Sequence, residues 1–523
     1  MNSPAKHIPA PIAEYAIVVN SSDNVAVAKT HVQKDLRVTL PSSETITVKH
    51  GVPPGHRFSI RDIPAGELVL QYGQPIGTSL GIQKGEWVSH NNMSNDVPLV
   101  RVLPDENGLA RQRRVLPSEF ATFQGFRRSD GRVGVRNYVL VVPTSMCASH
   151  EALQIATLAE FMLFSRSKYP NIDGVVAIPH NKGCGCQAGS NIEIVMRTLS
   201  NYAAHPNVGG VVLVDLGCEK TNLSYLRKYL SARSDSLKKP VASISIQKAG
   251  GTQEAIQQGL AEVERMLPDV DRATRDDTPL SELILGVKCG GSDALSGISA
   301  NPALGYAADL VIAAGGTVVM TEVPEFCGAE HILARRAKDT ETARAIYKMV
   351  DWYKDHAARV GAKLAENPSP GNVSSGLLNI TIKSLGAIAK AGSSPVEGVV
   401  DYAEFPKDRG LWLMQGPGYD QESTPGLVGA GAQVIVFTTG LGTTIGNAIA
   451  PVIKLASNTS VFERMSKDIS LSAGGIIDGT ETIEQVGSRI LDFVVQVAGG
   501  KQVWAELHKH REFQIWGEQA ISL

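Results

Sequence analysis

The feature that most limits the possible folds is a repeated pairing of an apolar, β-branched run with a helical pattern. Runs such as YVLVVP (138–143) and GGVVLVD (209–215) each lead into an amphipathic stretch of about 10 to 17 residues. The pattern continues through LILGVKC (283–289). Strands that alternate with helices in this way build right-handed βαβ units. We therefore predict an α/β main body with a doubly wound, mostly parallel sheet, in one or two lobes.

A different pattern precedes this body. Short runs such as YAIVV and ELVLQY alternate with turn signals, and glycine stands before a short strand in PPGHRF, PAGELV and QKGEWV. This predicts a small all-β domain over residues 1–95. Residues 96–122 carry many charges without a period, which is typical of a linker. After them we predict an α/β catalytic domain over 123–395, which ends near the helix-breaking ENPSPGN, and a C-terminal α/β lobe over 396–523.

Composition excludes several classes of partner. The formal net charge is -2 and there is no long Lys/Arg run. The sequence therefore does not predict the positively charged surface that binds nucleic acid or an anionic membrane. Residues 423–453 lack charge, but Gly, Asn and Pro interrupt them throughout, which indicates a buried strand with Gly-rich loops rather than a membrane span. The N-terminus has no signal-like apolar run. We expect a cytoplasmic homo-oligomer with a small substrate.

Four of the six cysteines lie at the carboxyl ends of predicted strands: Cys147, Cys184, Cys218 and Cys289. The carboxyl ends of parallel strands are where ligands bind. His180, Glu219, Glu322 and Glu325 stand in the same places, and His90 ends the β domain in WVSHNN. Sulfur beside oxygen and imidazole fits Fe(II) or Mn(II) better than structural zinc, and the spacing is not CxxC. A cysteine-held iron–sulfur cluster and inert core thiols remain open.

Several Gly-rich turns, among them CGGSD and TGLGTTIGN, are able to cradle an anion. None of them fits a nucleotide-binding motif, so a small anionic substrate is the better prediction. Its charge would be met by Arg136, Lys182, Lys288 or Lys383.

Motifs along nearly the whole chain resemble a known enzyme family. DNVAVA, GHRF, DIPAGELVLQYGQPIG and WVSHN resemble the SAF (β-clip) module. DGRVGVRN, VPTSMC, PHNKGCG, LGCEK, KCGGSDALSGISANP, TEVPE, ENPSPGN and SLGAIAKAGSS resemble the altronate/galactarate dehydratases. The resemblance implies a hydro-lyase that dehydrates a sugar acid to a 2-keto-3-deoxy acid. It also implies Fe(II), or a similar divalent ion, to stabilise the enediolate.

The resemblance also carries over site residues by motif. In the implied reaction a base removes the α proton and an acid protonates the departing β-hydroxyl. Catalytic roles are predicted for His180, Lys288, Glu219 and Glu322, with His180 or Lys288 as the base. Metal ligands are predicted at His90, Cys147, Cys184, Cys218 and Cys289. Substrate-binding residues are predicted at Arg136, Asp293, Asn301, Asn367, Asn372 and Lys383.

One segment departs from the family pattern. In TGLGTTIGN, Leu441 stands where these dehydratases have an arginine, and Thr444 and Ile445 replace Pro and Tyr. If that arginine grips a distal substrate group, Leu441 cannot, so the identity of the sugar acid stays open. Two alternative functions also stay open. One is an iron–sulfur hydro-lyase that acts on a related hydroxy acid, and the other is a non-catalytic sugar-acid-binding relative.

Overall fold

The computed structural model describes residues 9–101, 103, 122–231 and 238–518. Most of the predicted linker over 96–122 therefore lies outside the described residues, as does the start of the predicted β domain. No helix within these ranges is both long and apolar enough to cross a membrane.

Ten short strands form the N-terminal domain, in three small sheets. All pairs in these sheets are antiparallel except β1 with β4. Val38, Ile46 and Phe58 are among the apolar residues of its core. The prediction of a small all-β domain is confirmed. The strands are β1 Ala10–Pro11, β2 Ala16–Ile17, β3 Val25–Ala28, β4 Arg37–Thr39, β5 Thr45–Thr47, β6 Arg57–Ser59, β7 Leu68–Gln71, β8 Gln74–Ser79, β9 Trp87–Val88 and β10 Met93–Ser94.

The second unit contains a four-stranded parallel sheet with the strand order β14-β13-β15-β16. Its strands are β13 Tyr138–Pro143, β14 Gly174–Ala177, β15 Val208–Asp215 and β16 Val241–Ser245. A small antiparallel sheet beside it has β11 Thr122–Arg127, β12 Val133–Gly134 and β17 Arg275–Pro279. The helices are α1 Ser149–Met162, α2 Ser190–Ala204, α3 Leu223–Ser231, α4 Ile246–Ala249 and α5 Thr252–Asp271.

Both faces of the four-stranded sheet are covered. Along β13, Val139 and Val141 pack into one apolar core, whereas Leu140 and Val142 pack into another. Successive residues of a strand point to opposite faces, so a run without polar residues is the expected sequence of such a strand. The predicted doubly wound α/β body is confirmed.

A seven-stranded parallel sheet forms the third unit, with the order β20-β21-β19-β18-β22-β23-β24. Its strands are β18 Ile284–Cys289, β19 Thr317–Met320, β20 Val396–Val400, β21 Gly410–Met414, β22 Val434–Thr439, β23 Val452–Ala456 and β24 Leu471–Ser472. The helices are α6 Ala300–Ala313, α7 Glu330–Arg335, α8 Thr340–Arg359, α9 Pro370–Ser374, α10 Ile380–Ala387, α11 Asp420–Gly429, α12 Thr459–Arg464, α13 Gly474–Asp478, α14 Ile483–Ala498 and α15 Trp504–Leu507.

This sheet corrects the predicted boundary at 395/396. β18 and β19 precede that position, yet β19 pairs with β21 and β18 pairs with β22, which both follow it. The proline-rich segment over 366–372 lies after the end of α8 and contains the start of α9 at Pro370. It does not end the domain, because the chain returns to the same sheet.

The strand order also reverses at β18. β19, β20 and β21 lie on one side of it, and β22, β23 and β24 lie on the other. In open parallel sheets, ligands bind outside the carboxyl ends of the strands at such a switch point. The fold therefore predicts a ligand-binding site at Lys288 and Cys289, the last two residues of β18.

Buried amide side chains join the two parallel sheets. Asn201 Nδ2 donates hydrogen bonds to the carbonyl oxygens of Ala403 (2.6 Å) and Gly429 (2.8 Å). Asn207 Nδ2 donates in the same way to Ile449 O at 2.9 Å. Buried polar groups of this kind are costly without partners, so each bond fixes the relative position of the two units.

Arg136 belongs to the same junction and lies apart from the strand ends. It precedes β13, at the amino end of the strand, and its guanidinium is fully buried. Nε and Nη2 donate to the Glu506 carboxylate at 2.6 and 2.9 Å. The remaining N–H groups donate to backbone carbonyls of Val135, Val497 and Lys501. With all five donors engaged, Arg136 has none left for the predicted contact with substrate.

We expect Arg136→Met to lower the free energy of unfolding by about 3–5 kcal/mol, because Glu506 would keep a buried charge without its cationic partner. Urea and thermal denaturation of the full chain measure the change. Arg265→Met, which breaks an exposed pair with Glu262, is the matched control and should cost less than about 1 kcal/mol. Equal losses in the two variants would contradict this role of Arg136.

Candidate active site

Charged side chains gather where β18 and β19 end. Lys288 and Cys289 close β18, and Glu322 follows β19. Glu325 lies in the 3-10 turn that comes next. Because the two strands are paired and parallel, their carboxyl ends lie side by side. Lys383 and Lys390 reach the same point from α10 and the turn after it.

The Lys288 ammonium is fully buried among four oxygen acceptors. It donates to a Glu322 carboxylate oxygen, to Asp420 Oδ1 at 2.8 Å, and to the carbonyl oxygens of Cys289 (2.9 Å) and Gly418 (3.2 Å). A general base needs a free lone pair, which an ammonium lacks. In this arrangement Lys288 holds charge and position rather than accepting a proton.

Glu322 connects both strands to the second buried lysine. Its Oε2 lies 2.7 Å from Lys390 Nζ and accepts a hydrogen bond from the Cys289 backbone N–H at 3.1 Å. Lys390 Nζ also donates to Cys289 Sγ at 3.0 Å. Glu322 has a left-handed backbone with φ of 85°, which is unfavourable for a residue with a side chain. Strain of this kind persists where the surrounding contacts fix the conformation, and it is common at functional sites.

Glu325 connects this buried core to a third, less buried lysine. Its Oε2 accepts from Cys289 Sγ at 3.1 Å, and its Oε1 lies 2.9 Å from Lys383 Nζ. Lys383 also donates to Asn367 Oδ1 at 2.9 Å. The Lys383 side chain is 11% exposed, whereas those of Lys288 and Lys390 are 0% exposed. Lys383 is therefore the most open of the three lysines.

Burial and charge together determine the ionisation of the network. Burial lowers the pKa of Lys288, but attraction by Asp420 and Glu322 outweighs it, so the pKa is raised. The pKa of Lys390 is raised in the same way by Cys289 and Glu322, against the effect of burial. Both lysines are therefore ammonium ions at neutral pH.

The two glutamates respond in opposite directions. Burial raises the pKa of Glu325, but Lys383 and Lys390 outweigh it and lower the pKa to about 2. Burial and the neighbouring Glu325 raise the pKa of Glu322 above its ordinary value, despite its two lysine partners. Burial and Glu322 likewise raise the pKa of the Cys289 thiol.

Cys289, Glu322 and Glu325 form a buried group that could hold a metal ion. Their ligand atoms all lie within 4.8 Å of one another. A sulfur and two carboxylates offer the mixed donor set of a first-row divalent ion, so the residues fit such a group. The carboxylate oxygens already face the three lysines, so a bound cation would replace ammonium contacts. In the part of the chain that the structure describes, no second group of three such ligands lies as close together.

Three residues that were predicted to bind substrate instead stabilise the turns around the site. Asp293 accepts from Ser296 N and Oγ, both at 2.7 Å, and from Ser457 Oγ at 3.0 Å. Asn301 Nδ2 donates to a backbone carbonyl at 3.0 Å and its Oδ1 accepts a threonine hydroxyl at 2.6 Å. Asn372 Nδ2 donates to a backbone carbonyl at 2.7 Å. Their polar atoms are bound within the protein.

Leu441 lies between two of the turns that surround the site. Its backbone N–H donates to the carbonyl of Gly291 in the CGGSD turn at 2.8 Å. Its Cδ1 lies near Gly371 of ENPSPGN, where an added Cβ would be 3.8 Å away. The Leu441 side chain is 38% exposed. The departure from the family pattern thus falls at the rim of the site.

The other predicted residues lie at the carboxyl edge of the four-stranded sheet. His180 Nε2 donates to Pro143 O at 3.0 Å, and its Nδ1 accepts the Lys182 N–H at 3.2 Å. Burial lowers the pKa of His180 to about 4. With both ring nitrogens engaged, neither is free to act as the predicted base. Glu219 accepts from Thr144 Oγ1 at 2.8 Å and so is held beside β13.

The four predicted cysteine ligands divide between the two sheets. Cys147, Cys184 and Cys218 are exposed at the edge of the four-stranded sheet, whereas Cys289 is buried at the end of β18. Only Cys289 belongs to the metal-binding group described above. The two edges are connected through the C-terminal segment, where the Phe513 ring lies 6.4 Å from the His180 ring. The next residue, Gln514, hydrogen-bonds to the backbone of α11 at 3.1 Å.

The N-terminal domain packs against the third unit beside this site. His56 Nε2 donates to Ser374 O at 3.0 Å, and Asn379 Nδ2 donates to Ile76 O at 2.9 Å. His90, predicted to be a metal ligand, is exposed and is not part of the metal-binding group. The histidine that this domain directs to the third unit is therefore His56.

Sequence reasoning missed Lys390 and Asp420. Lys390 was available in the sequence as the single lysine of the motif SLGAIAKAGSS. Asp420 follows GPGY without any motif to mark it. Its carboxylate lies over Gly290, where an added Cβ would come within 2.7 Å of it, so CGGSD requires glycine at that position.

Comparison with known proteins agrees with this architecture. Three family models match in order: the altronate/galactarate dehydratase SAF domain over 14–96, the D-galactarate dehydratase/altronate hydrolase second domain over 125–271, and the D-galactarate/altronate dehydratase C-terminal domain over 280–521. The last model contains all seven strands of the third unit.

Similar curated proteins cover almost the full chain. Altronate dehydratase of Bacillus subtilis (strain 168) is 36% identical over 96% of this chain and 98% of its own length. Altronate dehydratase of Escherichia coli (strain K12) is 36% identical over 96% and 98%. Galactarate dehydratase (L-threo-forming) of the same organism is 35% identical over 94% of each chain. The chain therefore belongs to the altronate/galactarate dehydratase family, with an N-terminal SAF domain, a second domain and a C-terminal domain.

Proposed function

We propose that the protein is a hydro-lyase that removes water from a sugar acid and yields a 2-keto-3-deoxy acid. The observation that carries the proposal is the set of three lysines around Cys289, Glu322 and Glu325 at the switch point of the seven-stranded sheet. Loss of the proton α to a carboxylate creates a second negative charge on the substrate. Cations that are already in place lower the energy of that state. The dehydratase names of the similar proteins support the same reaction.

Lys383 and Asn367 bind the substrate carboxylate and its neighbouring hydroxyl. Lys383 is the most open of the three lysines, and its partner Glu325 keeps it charged: burial lowers the pKa of Lys383, but Glu325 outweighs this and raises it. Asn367 shares a hydrogen bond with Lys383, so the two side chains present a donor pair at one point of the crevice. Lys288 and Lys390 act as positioning residues that keep Glu322 in place.

Asp420 accepts the α proton. Its side chain is 25% exposed, while Glu322 and Glu325 are 0% and 3% exposed, so Asp420 is the carboxylate of the network that substrate can reach. Lys288 holds one of its oxygens at 2.8 Å. A partly exposed carboxylate that is held in one position is a suitable general base.

Cys289, Glu322 and Glu325 would hold a divalent ion, Fe(II) or Mn(II), whose donor preferences match this set. Such an ion supplies Lewis-acid stabilisation of the enediolate. The ammonium groups around it provide part of the same charge from the chain itself.

Leu441 favours an aldonate over an aldarate. An aldarate carries a second carboxylate at its far end, and desolvating that charge beside an apolar side chain is unfavourable. A neutral hydroxymethyl end has no such cost.

The function is tested by incubating the purified protein with a panel of aldonates and aldarates, with added Fe(II), with Mn(II), and after chelation. We expect a 2-keto-3-deoxy product from at least one aldonate, increased by the ions and reduced by the chelator. Product detection by mass spectrometry and a ketone-specific reagent measures the result. Tight binding of a sugar acid without turnover under all conditions would instead support the non-catalytic alternative.

We expect Asp420→Asn to lower kcat at least about 100-fold, because the amide keeps the shape of the side chain but cannot take the α proton. Exchange of the α proton with deuterated water, followed by NMR, measures the step directly, and substrate binding should change little. Asp408→Asn, on an exposed residue before β21, is the control. Exchange within about tenfold of wild type in Asp420→Asn would exclude Asp420 as the base.

We expect Leu441→Arg to raise kcat/KM for aldarates relative to aldonates by about tenfold or more, because a guanidinium binds the distal carboxylate. Leu441→Met, which keeps the apolar rim, should leave the ratio unchanged. Arg464, which donates to the Leu441 carbonyl at 3.3 Å, is retained in both variants. An unchanged ratio in Leu441→Arg would show that position 441 does not select the substrate.

A further inference from the structure

We propose that the protein binds an iron–sulfur cluster at the carboxyl edge of the four-stranded sheet, through Cys147, Cys184 and Cys218. The three neighbouring strands β14, β13 and β15 lie side by side in that sheet. Each delivers one of these cysteines in the loop or turn that follows it, and all three are free and exposed. The site is separate from the Cys289 group and does not rest on the proposed dehydration.

The exposure of these thiols is the first argument. Free cysteine is among the most buried residue types because it behaves as a small apolar group and oxidises when exposed. Cys289 and Cys327 follow that rule and are buried. Cys147, Cys184 and Cys218 are exceptions to this rule, and all three are exposed at the same edge of one sheet. Such exposure is expected where thiolates serve as ligands.

The second argument is that the three loops are held together. Met146 N donates to Lys182 O at 2.7 Å, which joins the Cys147 turn to the Cys184 loop. Glu219 accepts from Thr144 Oγ1 at 2.8 Å and Ser145 Oγ at 3.2 Å, which joins the Cys218 turn to the Cys147 turn. Hydrogen bonds between the loops fix the relative positions of the cysteines before anything binds.

The groups around Cys218 also support a cluster at this edge. Gln247 Nε2 donates to Cys218 Sγ at 3.4 Å. N–H donors to sulfur stabilise the negative charge of a cysteine-ligated cluster and tune its potential. Lys182 and Lys220 stand in the same loops and add positive charge beside it.

The spacing of the ligand atoms does not match a single ion. Tetrahedral zinc, with Zn–S distances of about 2.3 Å, brings its sulfurs to within about 3.8 Å of each other. Among the described residues, no group of three ligand atoms that includes these cysteines lies within 4.8 Å. A multinuclear cluster is wider than one ion and joins thiolates that stand farther apart.

Cys186 provides a matched control within the same loop. It lies two residues from Cys184 but is half-buried and packs against the main apolar core. Cys327 is a second control, buried in the third unit. Serine at either position removes a thiol without touching the three proposed ligands.

The test uses the full chain purified without oxygen and supplied with ferrous iron, ferric iron and sulfide, so that the oxidation state of the cluster needs no further oxidant. We expect bound iron and acid-labile sulfide with broad visible absorbance in the wild type. The absorbance and the sulfide should be lost in Cys147→Ser, Cys184→Ser and Cys218→Ser, and retained in Cys186→Ser and Cys327→Ser. Circular dichroism checks that each variant is folded.

Three outcomes would overturn the proposal. Absence of sulfide in the wild type, iron bound without sulfide, or a cluster that survives in a folded variant lacking all three cysteines would each do so. Cluster content in Asp420→Asn separates this proposal from the proposed function, because that variant should lose dehydration and keep the cluster. A wild type that holds the cluster but dehydrates no sugar acid would likewise leave the cluster site standing.

Discussion

The structure of the site depends on burying two lysines without leaving either one alone. An unpaired ammonium in the interior costs several kcal/mol, so Lys288 and Lys390 require carboxylates within contact distance. Glu322 meets both requirements with its two oxygens, and it thereby ties the end of β18 to the segment after α10. Glu322 makes these two contacts from a left-handed backbone conformation. The charge balance of the site is thus built into the fold, before any ligand arrives.

Local sequence could predict the strands and the residues that directly follow them. Parallel strands are buried on both faces, so they appear as continuous apolar runs, and Lys288 and Glu322 are found by reading just past such runs. Lys390 and Asp420 could not be placed in this way. Each lies in a helical segment far along the chain, and its contact with β18 arises only when α10 and α11 pack on the sheet. Long-range packing of that kind has no local periodicity.

Residue type alone also failed to separate binding groups from structural ones. Arg136 looks in sequence like an anion-binding arginine, yet all its donors are satisfied inside the protein. Asp293 lies in a glycine-rich turn at the site, but its carboxylate is used by serine hydroxyls of that turn and of the segment after β23. Hydrogen-bond saturation distinguishes these cases, and it depends on the three-dimensional neighbours. The boundary predicted at 395/396 was wrong for a related reason. Prolines affect only the local backbone, whereas the pairing of strands in a sheet joins segments that are far apart in the chain.

The N-terminal domain meets the third unit through a shared apolar core, through side-chain pairs and through contacts to main-chain atoms. His56 contacts the carbonyl of Ser374, Asn379 contacts the carbonyl of Ile76, and Gly55 and Gly376 approach so closely that neither has room for a side chain. The two glycines leave no space for a side chain where the surfaces meet. Any residue other than glycine at position 55 or 376 would therefore act as a wedge that pushes the N-terminal domain away from the third unit.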